Sequence, residues 1–146
     1  MQTILFVILV GLAGGVAIGF QGPLTSLMSQ RVGTIESVFI VHVGGAIAAL
    51  LPLLLFTHGG NLSSWRTVPW YALLAGVLGL PILSAISYTI PRLGAATTVV
   101  LVVAGQLVIG AILDHFGLLD AAIRHISLTR IVGMVVVFAG VWLMVR

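Results

Sequence analysis

The chain has 146 residues, of which 60% are hydrophobic and only 6% are charged, and its mean hydropathy is +1.29. Because water-soluble domains carry about 25% charged residues, this composition excludes a soluble domain. The net charge of +3 comes from six Arg and no Lys against three acidic residues, which reflects scarce charge and not a basic face for nucleic acid. We therefore expect the lipid bilayer, and no nucleic acid, as a partner.

Five apolar stretches follow one another along the chain, each close to the length of about 20 residues that crosses a bilayer as a helix. They lack the alternation of barrel strands, so they predict an all-α integral membrane protein, a bundle of five transmembrane helices. The first stretch has no basic leader region and no cleavage site, and we predict that it is retained. The predicted single transmembrane domain covers 1–146, with spans at residues 3–27, 35–56, 68–88, 94–113 and 130–145.

Two connections between the predicted spans have features of the membrane surface. Residues 57–67 are polar and lead into Arg and aromatic residues, which is typical of a turn at the headgroup level. Residues 114–129 hold apolar positions at helical spacing, which predicts a helix lying flat in the interface. Asp114 and Arg130 flank this second connection, and we predict that they form an ion pair.

Glycine makes up 18 of the 146 residues, well above the average of about 7%. In lipid, small residues at helical intervals let two helix backbones approach closely. We therefore predict helix packing at six glycines of spans one, three and five: Gly11, Gly15, Gly19, Gly76, Gly133 and Gly140.

A short internal repeat at an offset of 61 residues predicts that spans one and two form a hairpin related to spans three and four. The identities are few, and chance is the alternative explanation. The matching pairs are Arg31 and Arg92, Gly33 and Gly94, Val38 and Val99, and Gly44 and Gly105.

The arginines are balanced across the membrane, because five spans place three on each side, with Arg66, Arg124 and Arg130 on the side of the N-terminus. A bias of Lys and Arg normally sets the orientation of a membrane protein. A chain without this bias can insert both ways and form an antiparallel homodimer, in which the two copies make an inverted repeat. The alternatives are one fixed orientation, or a sister five-helix subunit that supplies the inverted half.

Three polar residues within the spans are candidates for lining a substrate cavity, because polar groups in hydrocarbon are costly and mark pathways or packing bonds. Gln21 precedes Gly22 and Pro23, and we predict that the proline breaks the helix and exposes carbonyls. The alternative is that this Gln bonds a neighbouring helix. Gln106 lies in the middle of span four, and His42 lies deep in span two.

Glu36 and His42 are candidates for proton coupling, since a partly buried carboxyl group or imidazole can titrate near neutral pH. The structural alternative for Glu36 is a favourable place in the first turn of a helix, and for His42 it is a hydrogen bond to a neighbouring carbonyl. The sequence has no run of convergent metal ligands, no Gly-rich phosphate loop before a Lys and no credible catalytic pair. We predict no metal, no cofactor and no enzymatic activity.

Span four and its exit resemble a known family. The segments are residues 93–98, 105–107 and 114–117, followed by Arg130, Gly133 and residues 140–141. They resemble the C-terminal half of the YdcZ-like family, the short five-helix branch of the drug/metabolite transporter superfamily. Gln21 near the end of span one also fits the family pattern, and the number and length of the spans match over nearly the whole chain.

The resemblance implies a multi-pass inner-membrane exporter whose fold is half of a ten-helix inverted repeat. Thr25 stands where family members often carry Asn, and span one lacks the proton-coupling Glu of the four-helix small multidrug resistance proteins. We expect a secondary transporter of small organic metabolites or drugs that works as an antiparallel dimer, with a cavity between the two copies lined by Gln21, His42 and Gln106. The alternative is a non-transporting membrane subunit that assembles with or regulates a partner membrane protein.

Overall fold

The structure, a computed structural model, describes residues 2–55 and 60–146, and the regular secondary structure in these residues is entirely helical. Five helical segments are long and apolar enough to cross a membrane, with α3 and α4 forming one of them. The predicted all-α fold with five spanning helices is therefore confirmed for the described residues. The helices are α1 (Gln2–Val32), α2 (Thr34–Leu55), α3 (Trp70–Leu73), α4 (Ala75–Leu93), α5 (Ala95–Phe116) and α6 (Leu128–Val145).

The helices extend beyond several of the predicted span boundaries. α1, for example, continues from the expected end at residue 27 to Val32, because polar residues remain helical after the chain leaves the hydrocarbon and hydropathy marks only the apolar part. Residue 56 of predicted span two and residues 57–59 of the following turn lie outside the described residues. The rest of that turn contains a 3₁₀ helix at Leu62–Thr67, preceded by Asn61, whose side chain accepts the backbone N–H of Ser63 at 3.2 Å.

The chain divides into two compact units, Met1–Pro91 and Arg92–Arg146. In the first unit α1 packs along α2. Gly22 of α1 lies so close to α4 that a Cβ there would be 3.3 Å from the side chain of Ile86. In the second unit α5 packs along α6. The single transmembrane domain expected from the sequence stays a prediction.

Glycines with positive φ form the tight turns between α1 and α2 and between α4 and α5. Gly33 has φ +104°, and Gly94 has φ +81° with ψ 163°, a conformation that residues with a Cβ rarely adopt. Each glycine carbonyl accepts the backbone N–H four residues later, from Ser37 at 3.0 Å and from Thr98 at 3.2 Å. The two turns share this geometry, and the predicted relation between the hairpins stays a prediction.

Few side chains are buried, and half of those that are buried carry hydroxyl groups. Three of the hydroxyls donate to carbonyls of their own helices or of the preceding turn at 2.8 Å, namely Thr25, Ser37 and Thr98. These three residues therefore enter the packed regions with their hydroxyls satisfied, as membrane helices require. The hydroxyls of Ser26 and Ser87 are buried without a hydrogen-bond partner among the described residues. Among the described residues, the buried side chains belong to Val38, Leu83, Ile86, Ala104 and Val141, together with Thr25, Ser26, Ser37, Ser87 and Thr98.

The six glycines predicted to pack against other helices are open within the chain. Apart from the backbone of their own helix, no described atom lies within 4 Å of a Cβ built at any of them. Their role in helix packing stays a prediction.

The helix break predicted after Gln21 is wrong, because α1 is continuous through Pro23. Pro23 has no N–H to donate to the carbonyl of Gly19, one turn earlier. Membrane helices accept such a proline when hydroxyl side chains and a neighbouring helix support the region. Here the Thr25 hydroxyl donates to the Gln21 carbonyl at 2.8 Å, and Gly22 packs against α4.

The interfacial helix predicted between α5 and α6 is also wrong, because residues 121–127 have no regular structure. Gly117 ends α5 in the left-handed region, and Leu119 and Asp120 also have positive φ, so the chain turns away from the helical path. The backbone N–H of Arg124 then donates to the carbonyl of Asp114 at 2.8 Å. The connection is thus bonded to the end of α5, and its only helical segment is a 3₁₀ turn at Leu118–Asp120.

Replacing Gly94 by Ala should lower the free energy of unfolding by about 1–3 kcal/mol, the usual cost of a strained backbone conformation. The added Cβ would meet no atom within 4 Å, so the loss would report backbone strain alone. Unfolding of the purified protein in detergent measures it. Gly105→Ala, equally open but inside α5, is the matched control and should be neutral or slightly stabilising. An equal loss in both variants would contradict this explanation.

Candidate substrate cavities

The first unit contains a cavity of about 440 Å³, formed by α1, α2 and α4. Gln21 and His42 both line it, so the structure brings together two of the three residues predicted to face a cavity. Their polar groups stand in a largely apolar wall, the usual composition of a small-molecule site. The other lining residues are Val41, Gly45, Gly79, Ile82 and Leu83.

The imidazole of His42 is held from both sides. Its Nδ1 lies 2.7 Å from the backbone carbonyl of Val38, and since a carbonyl only accepts, Nδ1 is the nitrogen that carries the proton. This bond agrees with the structural alternative for His42, a hydrogen bond to a neighbouring carbonyl. The ring also lies directly against Gly79 of α4, where a Cβ would overlap it. In the neutral ring, Nε2 is therefore an acceptor on the side of the cavity that α4 forms.

The second unit contains a cavity of about 500 Å³ between α5 and α6. Gln106, the third predicted cavity residue, lines it, together with Asp114 of α5 and Arg130 of α6. The rest of the wall is apolar or glycine: Leu107, Gly110, Ala111, Gly133, Met134 and Val137.

The ion pair predicted between Asp114 and Arg130 is confirmed, with Arg130 Nη1 lying 3.1 Å from Asp114 Oδ2. Both side chains are 37% exposed, so a ligand in the cavity can reach them. The backbone N–H of Arg130 donates to the Oγ of Ser127 at 3.3 Å, and its Nη1 lies 3.4 Å from the carbonyl of Arg124. Arg130 is thus held at the start of α6 by several bonds.

Glu36, the second candidate for proton coupling, lines neither of the two cavities described. It is exposed in the first turn of α2, and its carboxylate lies over Gly33. Acidic side chains are stabilised there by the helix dipole. The structure therefore brings His42 to a cavity but not Glu36, and the coupling role of either residue stays a prediction.

Asp114 and Arg130 flank a connection in the sequence, which does not predict that they also line a cavity. The spacing in span four indicates that Gln106 and Asp114 lie on the same side of the helix, because Gln106, Gly110 and Asp114 follow one another at intervals of four. The contact between Gly79 and His42 had no sequence signal, since it depends on how α4 meets α2.

The five apolar helices define an integral membrane protein with several spans. The sequence profile of a family described as "Putative inner membrane exporter, YdcZ" matches residues 6–143. The chain is also 30% identical over 139 residues to "Inner membrane protein YdcZ" of Escherichia coli (strain K12). The aligned region covers 92% of this chain and 91% of that protein. The chain therefore belongs to the YdcZ family, as the resemblance in span four indicates.

Membership of this family makes the chain a multi-pass protein of the inner membrane, in agreement with the five apolar helices. The description of the family supports an exporter role and names no enzymatic activity. No solved structure matches the chain.

Replacing Gly79 by Ala should displace the His42 imidazole and break its hydrogen bond to Val38, because the new Cβ would occupy the place of the ring. We expect a loss of about 1 kcal/mol in the free energy of unfolding and a changed ¹⁵N NMR shift for His42 Nδ1. Gly44→Ala, in α2 and with no atom within 4 Å of the added Cβ, is the control. An unchanged His42 spectrum in the Gly79 variant would refute the contact.

Proposed function

We propose that this chain is a secondary transporter that exports small organic metabolites or drugs. The observation that supports this best is the composition of the two cavities, each of which combines an apolar wall with one glutamine, Gln21 or Gln106. A few polar groups in an apolar cavity can orient an organic molecule while most of its surface stays out of water. The description of the family as an inner membrane exporter supports export as the direction of transport.

Transport by this chain would be driven by a gradient, since the sequence has no phosphate-binding loop for ATP. His42 is the titratable side chain that lines the first cavity, and its Nε2 can take up a proton while Nδ1 keeps its bond to Val38. We propose that a proton taken up there is exchanged for substrate. Glu36 is the second candidate, although it lies at the start of α2.

We further propose that two copies assemble as an antiparallel homodimer. Two features support this: the equal number of arginines predicted for each side of the membrane, and the open glycine faces of the helices. Glycines such as Gly11, Gly15 and Gly19 of α1 would let a helix of the second copy approach closely. An inverted pair would have the symmetry that alternating access uses in many transporters.

The antiparallel arrangement predicts that the C-terminus after Arg146 is found on both sides of the membrane. Two separate fusions there, one to a reporter active only in the cytoplasm and one to a reporter active only outside it, should give comparable activity. Adding two Lys residues beside Arg66 is the control, because a charge bias should move the chain to one orientation. If only one reporter is active in the natural chain, self-pairing fails and a sister subunit becomes the explanation.

Gln106→Leu should abolish export while the protein stays folded and dimeric, because the cavity loses the amide that orients a substrate. Cells that lack other exporters, grown on a panel of toxic organic compounds with and without this protein, provide the assay. Gln30→Leu makes the same chemical change outside both cavities and should leave resistance unchanged. Export that survives Gln106→Leu would make Gln106 a packing residue. A chain that confers no resistance or flux at all would favour the non-transporting subunit.

A further inference from the structure

We propose that the cavity of the second unit binds a hydrophobic zwitterion, a molecule with an apolar body and with adjoining anionic and cationic groups. Arg130 would bind the anionic group and Asp114 the cationic group. This inference rests on the proposed transport function, because it names the class of molecule that the cavity between α5 and α6 would take.

The polar and apolar parts of this cavity are arranged along its length. Asp114 and Arg130 form one end, near the last turn of α5 and the first turn of α6. Gln106 lies eight residues before Asp114 on α5, a distance of about 12 Å along the helix axis. The wall between them consists of the apolar and glycine residues named above. A ligand with its charges together at one end and an apolar body at the other matches this division.

The charges of the site select for a zwitterion. Asp114 and Arg130 neutralise one another at 3.1 Å, so a ligand with a single net charge would leave one charge in the site uncompensated. An unpaired charge beside hydrocarbon is costly. A zwitterion avoids this cost, because it supplies an opposite charge to each side chain.

The ion pair also has unused bonding capacity for such a ligand. Both bonds that the Arg130 side chain donates come from Nη1, and the carboxylate of Asp114 uses Oδ2. A guanidinium group carries five N–H donors, and those on Nη2 and Nε suit the two oxygens of a carboxylate or phosphate. Asp114 Oδ1 can accept from an ammonium group. The ligand can therefore bind without first breaking the pair.

Two sources offer this chemistry within a membrane. One is a free amino acid with an apolar side chain, and the other is a zwitterionic phospholipid whose chain lies along the apolar wall. The volume of about 500 Å³ lies within the range of about 300–1,000 Å³ that is usual for small-molecule sites. The experiment must separate these two sources.

Calorimetric titration of the purified chain in detergent with two series of probes provides the test. The first series is L-phenylalanine, N-acetyl-L-phenylalanine, which keeps only the anion, and L-phenylalanine methyl ester, which keeps only the cation. The second is dihexanoyl phosphatidylethanolamine against the anionic dihexanoyl phosphatidylglycerol. In at least one series the zwitterion should bind about tenfold or more tightly than its charged analogues, the effect of losing one charge-assisted hydrogen bond. The series that shows the preference identifies the source.

Variants assign the preference to the ion pair. Asp114→Asn should remove the discrimination against the anionic analogue, and Arg130→Gln should remove the discrimination against the cationic one. Asp120→Asn and Arg66→Gln make the same chemical changes outside the cavity and should keep the preference. The wild-type comparison of analogues needs no variant, so it remains decisive if a variant does not fold.

The inference is overturned if the charged analogues bind as tightly as the zwitterions, if no probe of either series binds, or if the folded variants at Asp114 and Arg130 keep the full preference. Because binding is measured without transport, the two proposals fail separately. Export of other compounds without a zwitterion preference would leave the transport function standing and remove this inference. A zwitterion preference in a chain that exports nothing would support the binding site and remove the proposed transport function.

Discussion

A bilayer offers no hydrogen-bonding partner to the backbone, and this constraint shapes the whole structure. Every N–H and C=O group in hydrocarbon must be bonded within the protein, so the chain crosses as long helices and turns sharply between them. Gly33 and Gly94 allow two of these turns to be made without further loop residues. The connection between α5 and α6 follows the same rule, since Arg124 bonds the carbonyl of Asp114 at the end of α5.

The same constraint explains where the polar side chains lie. Buried hydroxyls such as Thr25 and Thr98 donate to carbonyls one turn earlier in the chain, which leaves the helix surfaces apolar. Three larger polar side chains lie at the two cavities, with Gln21 and His42 in one and Gln106 in the other. Because the rest of the described surface is so apolar, these cavities are the places where an organic substrate would find directional bonds.

Exposed apolar surface has a different meaning here from its meaning in a soluble protein. Most large hydrophobic side chains of the helices face outward, as lipid requires. Lipid contact alone does not explain why glycine lies so often on these outward faces, since a glycine adds little contact area. A glycine-rich surface lets the backbone of another helix approach closely. The open glycines are therefore consistent with the proposed pairing of two copies.

Residue patterns alone were enough to predict the fold class, the number of spanning helices and the ion pair between Asp114 and Arg130, because hydropathy and helical length dominate in a membrane and few charges are available to pair. They also indicated Gln21, His42 and Gln106 as candidates for lining one substrate cavity between two copies, and that role stays a prediction. The packing of α1, α2 and α4 was needed to show that Gln21 and His42 meet at one cavity while Gln106 lies with the ion pair at another. Tertiary contacts also kept α1 continuous through Pro23 and left residues 121–127 without a helix. In both places, contacts with a neighbouring helix or with the end of α5 outweighed the local pattern, and such contacts are not visible in residue spacing.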